Sequence, residues 1–433
     1  MARTYTPKDV HALVNLVIKE LTGQDATIQG INTNDFVSVG ELINTYPKEN
    51  VYNALSIPLL RTLIAARTMD EELLIINALN SGVYSNRLRK ISYLSKYALP
   101  DGAFNTNLFT NLAPGFTAGQ NESSGTPQST KSQSTKSQWE QNPVIPKELT
   151  FGGSSVWDHG ITWYKYQDKI AFESPESFAA FWRGALIENA NDIKREKSAY
   201  RRAVLLNFLG GIYDLNGYGP VVVNLTAAYN QRFNTSYTSA QLRTTYLKEF
   251  LAFFVSEFKK YQKIIRKSSI KYHVNMSETI NGVTYNLLRH TPYNRQRVIL
   301  YEPLFIESEA LVLPEIFNPE YLDIKTQYEG VMWWQNENDP SAISVTPSIP
   351  DFGTGTQIQG NPVALDYVVG VLYDEDALMT DFMLDDVDTT PLESRKKYRN
   401  TWYTMMRNGI NDFTEKCILF TMEDPSRLGA KKK

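Results

Sequence analysis

The sequence holds a single cysteine, Cys417, in 433 residues, so a disulfide framework and a cysteine-based zinc site are both excluded. Histidine is almost as scarce, with only His11, His159, His273 and His290. No apolar run approaches the roughly 18 residues of a membrane-spanning helix. The N-terminus, MARTYTPKDV, lacks the apolar stretch of a secretory signal. The expectation is a chain made and folded in a reducing cytoplasm, with the sequons at Asn121, Asn224, Asn234 and Asn275 as chance matches. Neither charge sign is in excess: 44 Lys and Arg against 47 Asp and Glu leave −3. That balance argues against a dedicated nucleic-acid binder but leaves room for one basic face. The H-E-x-x-H, C-x-x-C, G-x-S-x-G and P-loop patterns are all missing, which weakens a catalytic reading.

What the chain does have is aromatic residues, 7 Trp, 25 Tyr and 20 Phe, and long segments of changing period. Residues 7–22 carry an amphipathic helix pattern, and a second helical pattern runs over 51–81, bent at Pro58. Residues 87–99 switch to period two, with Arg89, Ile91, Tyr93, Ser95, Tyr97 and Leu99 on one strand face. A long irregular stretch, 100–156, contains the low-complexity tract at 119–138, where Ser-Thr-Lys-Ser-Gln occurs twice in succession. An aromatic strand follows at 160–170, so the segment reads as a long projecting hairpin. Residues 174–208 then predict a rod-like helix, with Pro175 in its first turn and Gly210-Gly211 as its stop. A second long helix is expected at 239–267, strands at 283–288 and 296–306, and a buried strand at 366–373.

Candidate chemistry is sparse. Asp158-His159 could form an acid–base pair, although a turn is the favoured reading. The run DEDALMTDFMLDDVD at 374–388 carries seven acids and no base. It lacks the register of a calcium loop, so a solvated acidic face, or one facing the basic RKKYR at 395–399, is expected. The basic clusters at 87–96 and 259–271, interleaved with Tyr93, Tyr97 and Tyr261, could touch nucleic-acid phosphates loosely. Trp333-Trp334 could line a sugar platform, but a buried anchor is the commoner role. No catalytic, cofactor or metal residue is assigned. The residues expected at contacts between subunits are Arg87, Arg89, Lys90, Tyr93, Trp139, Trp157, Trp163, Asp374, Asp376, Arg395, Lys396 and Lys397. The reasoning is architectural: an arm, a hairpin and a rod gain little burial within one chain and become worthwhile on neighbouring copies.

The order of these elements, with Thr162–Phe208, Tyr367–Met379 (YVVGVLYDEDALM) and Asn411–Asp424 (NDFTEKCILFTMED), resembles the major capsid proteins of tailed bacteriophages, nearest to the short-tailed and crAss-like branch. The resemblance implies an α+β chain of the Hong-Kong-97-type fold and no enzymatic activity. It further implies an N-terminal arm at 1–50, a helical connection at 51–85 and an extended loop at 86–170. A peripheral domain with its spine helix would occupy 171–215, an axial domain 216–380, and a return to the peripheral domain with a C-terminal tail 381–433. Copies of the chain would form hexamers and pentamers of an icosahedral shell around double-stranded DNA, assembled in the host cytoplasm and retained in the virion. Scaffolding, portal and decoration proteins are the further partners it suggests; cofactors and membranes are not. The Ser/Thr/Gln repeat departs from the family pattern, and so does the lack of a long coiled-coil N-terminal segment. The competing reading is a glycan-active enzyme or a carbohydrate-binding module.

Overall fold

A computed structural model describes residues 69–79, 87–95, 144–152, 155–164, 175–280, 283–311, 328–352 and 356–424. The helix expected at 7–22, most of 51–81, the repeat at 119–138 and Trp139 lie outside these residues. The class is α+β, as expected. The first strands are β1 (Asn77–Leu79), β2 (Arg87–Leu94), β3 (Ile145–Gly152) and β4 (Ser155–Tyr164). Helix α1 (Pro175–Asn216), β5 (Val222–Asn224), α2 (Leu225–Phe233), α3 (Ser239–Arg243) and α4 (Leu247–Ile265) follow. Then come β6 (Ser277–Ile280), β7 (Val283–Asn286), β8 (Gln296–Tyr301) and α5 (Glu302–Leu311). The rest is strand: β9 (Tyr328–Val331), β10 (Ile343–Val345), β11 (Ser348–Pro350), β12 (Gln357–Gln359), β13 (Val363–Leu365), β14 (Val368–Asp374), β15 (Leu378–Thr389), β16 (Tyr398–Asn411) and β17 (Cys417–Thr421).

The chain divides into two units. The first takes Met1–Asn86, Gly152–Val204 and Met379–Gly409. Its sheet has the order β1-β15-β16-β4, with β16 and β4 antiparallel from Tyr398↔Tyr164 to Arg407↔Ser155. From Arg399 to Met405 strand β16 alternates, burying Arg399, Thr401, Tyr403 and Met405 while Trp402 faces out. The unit's part of α1 contacts the sheet through an ion pair between Arg407 and Glu196 at 2.5 Å, and the Arg407 guanidinium stacks 4.5 Å from the Tyr200 ring. The buried stripe of this stretch is partly polar: Lys194 reaches the Met69 carbonyl, and Arg201 donates to Glu71 at 2.9 Å.

The second unit takes Arg87–Phe151, Leu205–Leu378 and Ile410–Lys433. Its sheet has the order β5-β17-β14-β8-β9. All seven residues of β14 are buried between antiparallel β17 and β8, which suits its unbroken apolar sequence VVGVLY. Phe250, Phe254 and Phe258, spaced four apart on α4, are fully buried, and the rings of Phe254 and Phe258 lie 5.7 and 6.0 Å from that of Phe420 in β17.

Several expectations need correction. Residues 69–79 are not helical: Leu73 has a positive φ of 58°, and Asn77–Leu79 pairs in parallel with Met379–Asp381 of β15. Burial of Leu73 and Ile76 beside a sheet outweighs the local helical pattern. Helix α1 does not stop at Gly210-Gly211 but runs to Asn216, where Gly217 at φ 58° supplies the left-handed stop. The two helical glycines are instead sites of close approach. A Cβ on Gly211 would lie 2.4 Å from Cζ of Phe413, and one on Gly210 would lie 2.7 Å from Val345. The helix expected at 239–267 breaks at 244–246 into α3 and α4. The strand expected at 296–306 ends at Tyr301, and Glu302-Pro303 opens α5, since proline suits a helix's first turn. The stretch expected to be irregular up to 156 contains β3, and the strand paired with β2 is β3, not the later aromatic one. Strand β4, Ser155–Tyr164, belongs instead to the sheet with β16.

Candidate functional site

Strands β2 and β3 form a two-stranded arm in the second unit. The sequence RLRKISYL sends Ser92 and Leu94 inward and Arg89, Ile91 and Tyr93 outward. On the inner side Leu94 and Ile145 pack with Tyr285 and Leu287, against Met276 and Ile280. Ser95 and Asn286 exchange two backbone hydrogen bonds, 2.8 and 3.0 Å, which splice the arm to β7.

A charge cluster sits beside this apolar contact. Lys90 Nζ donates to Asp412 Oδ2 at 2.6 Å and to Glu415 Oε1 at 2.7 Å. Arg289 lies 3.2 Å from the same Glu415 oxygen, and its Nη2 donates to Ser92 Oγ at 2.7 Å. Asp412 Oδ1 accepts from the Thr414 backbone N–H at 2.9 Å and from its hydroxyl at 2.6 Å. Two cations face two carboxylates, so the cluster closes neutral, which is the condition under which buried charge is tolerated. Burial works against the Lys90 ammonium, but Asp412 and Glu415 outweigh it and hold its pKa above the ordinary lysine value. Burial pushes the Glu415 carboxyl up, against the pull of Lys90 and Arg289.

The outer side of the arm is bare. Val144 is 74% exposed, Tyr93 63% and Ile91 56%. Arg89 grips Glu148 across the two strands with both prongs of its fork, Nε–Oε1 at 2.6 Å and Nη2–Oε2 at 2.8 Å. In water such a pair adds little stability, but it fixes the mutual register of the strands.

The first unit has an exposed face of its own, formed by β4 and β16. Val156, Tyr164 and Trp402 are exposed there. Gly160 lies beneath the Trp402 ring, where an added Cβ would come within 2.8 Å of Cζ3. Thr162 Oγ1 donates to Asn400 Oδ1 at 2.8 Å. Among the described residues, β4 has one strand neighbour, β16.

The residues singled out from the sequence fall into distinct places. Arg89 and Tyr93 lie on the outer side of the arm; Arg87 is in β2, with its side chain outside the described residues, as is all of Trp139. Lys90, Trp163 and Asp374 are committed within the chain. Trp163 is buried and donates from Nε1 to Thr401 Oγ1 at 3.1 Å. Asp374 is buried 3.4 Å from Arg295, which also pairs with Asp376 and Glu375. The start of the acidic run is therefore an ion cluster on arginine, and Asp381 further along is buried, which corrects the expected solvated face for that part, whereas Asp386 and Asp388 at its end are exposed. Trp157 stacks on His159, with ring centroids 5.6 Å apart. His159 is in a strand and not a turn, and its Nε2 lies 3.7 Å from Asp192 of α1. Asp158 is its neighbour along the strand and so points to the opposite face, which rules out the adjacent acid–base pair. Arg395, Lys396 and Lys397 form a turn in which Glu393 accepts from the backbone N–H groups of Arg395 and Lys396. Trp334 is a buried anchor, donating to the Val368 carbonyl at 2.8 Å.

Sequence reasoning missed Glu148, Arg289, Asp412 and Glu415. The alternation of Ile145, Lys147, Leu149 and Phe151 could have revealed β3; nothing local marks the other three as partners of Lys90. Two further reactive side chains are sequestered. Burial pushes the Cys417 thiol pKa up, and it lowers that of His273, whose ring nitrogens face the Val274 and Ser269 carbonyls at 3.1 and 3.2 Å. No helix among the described residues is long and apolar enough to cross a membrane.

No protein-family profile matches the sequence, and no curated protein matches it. Solved structures to which the chain is similar include chains from phage capsids. One is the capsid of Staphylococcus phage Andhra, at 10% identity and a TM-score of 0.48, covering 82% of this chain and 85% of that one. Another is a chain from the structure of the head fiber and inner core protein gp22 of bacteriophage P68, at 12% identity and a TM-score of 0.45, covering 82% and 88%. The capsid of cyanophage P-SCSP1u follows at 7% identity and a TM-score of 0.40, covering 82% and 90%.

Proposed function

We propose that this chain is the major capsid protein of a tailed bacteriophage, a structural and non-enzymatic subunit whose copies close into an icosahedral shell of hexamers and pentamers around double-stranded DNA. The observation that carries the reading is the arm. Its inner side is fixed by an apolar cluster and a neutral buried charge network, while its outer side presents Ile91, Tyr93 and Val144 to water. A limb held this firmly with an uncovered apolar side suits a surface that a second copy of the same chain covers.

In this reading residues 86–170 are the extended loop lying across a neighbour, 171–215 and 381–433 the peripheral domain, 216–380 the axial domain and 1–50 the N-terminal arm. The exposed aromatic face of β4 and β16 is a second contact surface. Arg87, Arg89, Tyr93, Trp139, Trp157, Asp376 and Arg395–Lys397 are the contact residues retained, with Lys90, Trp163 and Asp374 supporting them from within. Repetition then makes the shell durable, because each subunit is held at several contacts at once. Scaffolding, portal and decoration proteins are its partners, and the virion is its location.

The test is assembly. Purified chain examined by negative-stain electron microscopy should form shells or curved sheets. A compact monomer at high concentration would overturn the reading.

A further inference from the structure

We infer that the solvent face of α4's C-terminal half, with the residues just beyond it, is a binding surface for the phosphate backbone of duplex DNA. The inference rests on the capsid reading for the identity of the polyanion, and on the structure for the surface. Helix α4 buries Phe250, Phe254, Phe258, Gln262 and Ile265 on one side. The opposite side carries Lys259 and Lys263, Arg266 caps the helix and Lys267 follows it, all four exposed and close in sequence at i, i+4, i+7, i+8. Lys271 continues the stripe beyond the helix. Among the described residues Lys260 pairs with Glu257, whereas Lys259, Lys263, Arg266 and Lys267 form no ion pair.

Complementing the helix dipole does not account for this many cations, because that effect is confined to the last turn and Lys259 stands before it. The stripe is also locally strong in a chain whose net charge is only −3. From Lys259 to the helix end at Ile265 the axis rises about 9 Å, a length over which a duplex presents about five phosphate charges. The side chains beside the stripe are small: Ala252, Ser256 and Ser268 are exposed, and no exposed aromatic residue accompanies them on this side of α4. A protein partner would seek apolar anchors at the core of its contact. A surface of spaced cations without anchors offers counterion release and no sequence reading, which is what a shell's lining needs toward any packed sequence.

The experiment uses the full chain and a fluorescent random duplex of about 20 base pairs, followed by anisotropy. With four phosphate contacts, affinity should fall about 150-fold between 50 and 200 mM salt. The variant K259A/K263A/R266A/K267A should bind far more weakly at low salt, with a nearly flat salt dependence, while its thermal unfolding and its assembly in micrographs stay unchanged. Wild-type-like binding by the folded variant would overturn the inference. So would tighter binding of polyglutamate than of the duplex at equal charge, which would point to an acidic protein partner. The outcomes also separate the two readings: duplex binding without shells sinks the capsid proposal alone, and shells indifferent to duplex sink this one alone.

Discussion

The ammonium of Lys90 lies 2.6 Å from a carboxylate oxygen of Asp412, a residue 322 positions further along the chain. Asp412 is 1% exposed, so this contact joins the base of the arm to the interior of its own unit. Glu415 and Arg289 complete the neutral set. Replacing Lys90 by Met keeps the stem's length and removes the charge, leaving two carboxylates against one guanidinium. The expected loss is about 3–5 kcal/mol in denaturant unfolding, because the remaining charge stays buried without a partner. Adding Glu415→Gln to that background should recover part of the loss. A Lys90→Met variant as stable as the parent would show that the anchor carries no energy.

The outer side of the arm supplies a separable test. Ile91→Asp with Tyr93→Asp alters side chains that are already in water, so unfolding should shift by no more than about 0.5 kcal/mol. Shell formation by light scattering and microscopy should nevertheless be lost, since two charges would be buried at the contact. A deletion probing the same loop has to remain within residues 96–143: β3 pairs with β2, and β4 forms part of the sheet with β16, so removing either damages the fold itself.

Gly211→Ala sets two magnitudes against each other. Alanine in place of a helical glycine favours the helix by about 1 kcal/mol. The new methyl group would sit 2.4 Å from the Phe413 ring, and overpacking of this kind costs about 1–3 kcal/mol. The clash should win, giving a net loss of up to about 2 kcal/mol. In a Phe413→Leu background the same alanine should be better tolerated, and chemical denaturation of the four proteins in the cycle reads that coupling directly.

His273 makes stability fall in acid. Burial lowers its pKa, Lys416 and Arg289 also disfavour the imidazolium, and the carbonyls of Val274 and Ser269 oppose them incompletely. The unfolded chain therefore takes up a proton below pH about 6.5 that the folded chain refuses until the pH is lower still. Between those two values stability declines by up to about 1.4 kcal/mol per pH unit. Glu415 acts with the opposite sign: its raised pKa makes the folded state bind a proton first, so its contribution grows as the pH drops toward the ordinary carboxylate range. Melting temperatures from pH 8 to 5 should show the histidine's decline, and His273→Gln should flatten it. An unchanged profile in that variant would assign the pH dependence elsewhere.

Much of the architecture was legible in residue order because it depends on short-range pattern. The phenylalanines four apart in α4, the unbroken apolar run of β14 and the alternation in β2 each dictate a period and a buried side within a few residues, and steric limits on the backbone translate that period into helix or strand. Pro175 likewise marked the start of α1. The tertiary structure decided what those patterns meet. Gly210 and Gly211 read locally as a helix stop, yet they lie within α1 because Val345 and Phe413 occupy the space a side chain would need. His159 adjoins Asp158 in sequence but lies near Asp192, since a strand turns consecutive side chains to opposite faces. Lys90 carries no local sign of Asp412 or Glu415. Propensity extends only over neighbouring residues, whereas the partner of a buried charge is chosen by the path of the whole chain and by the cost of leaving that charge alone.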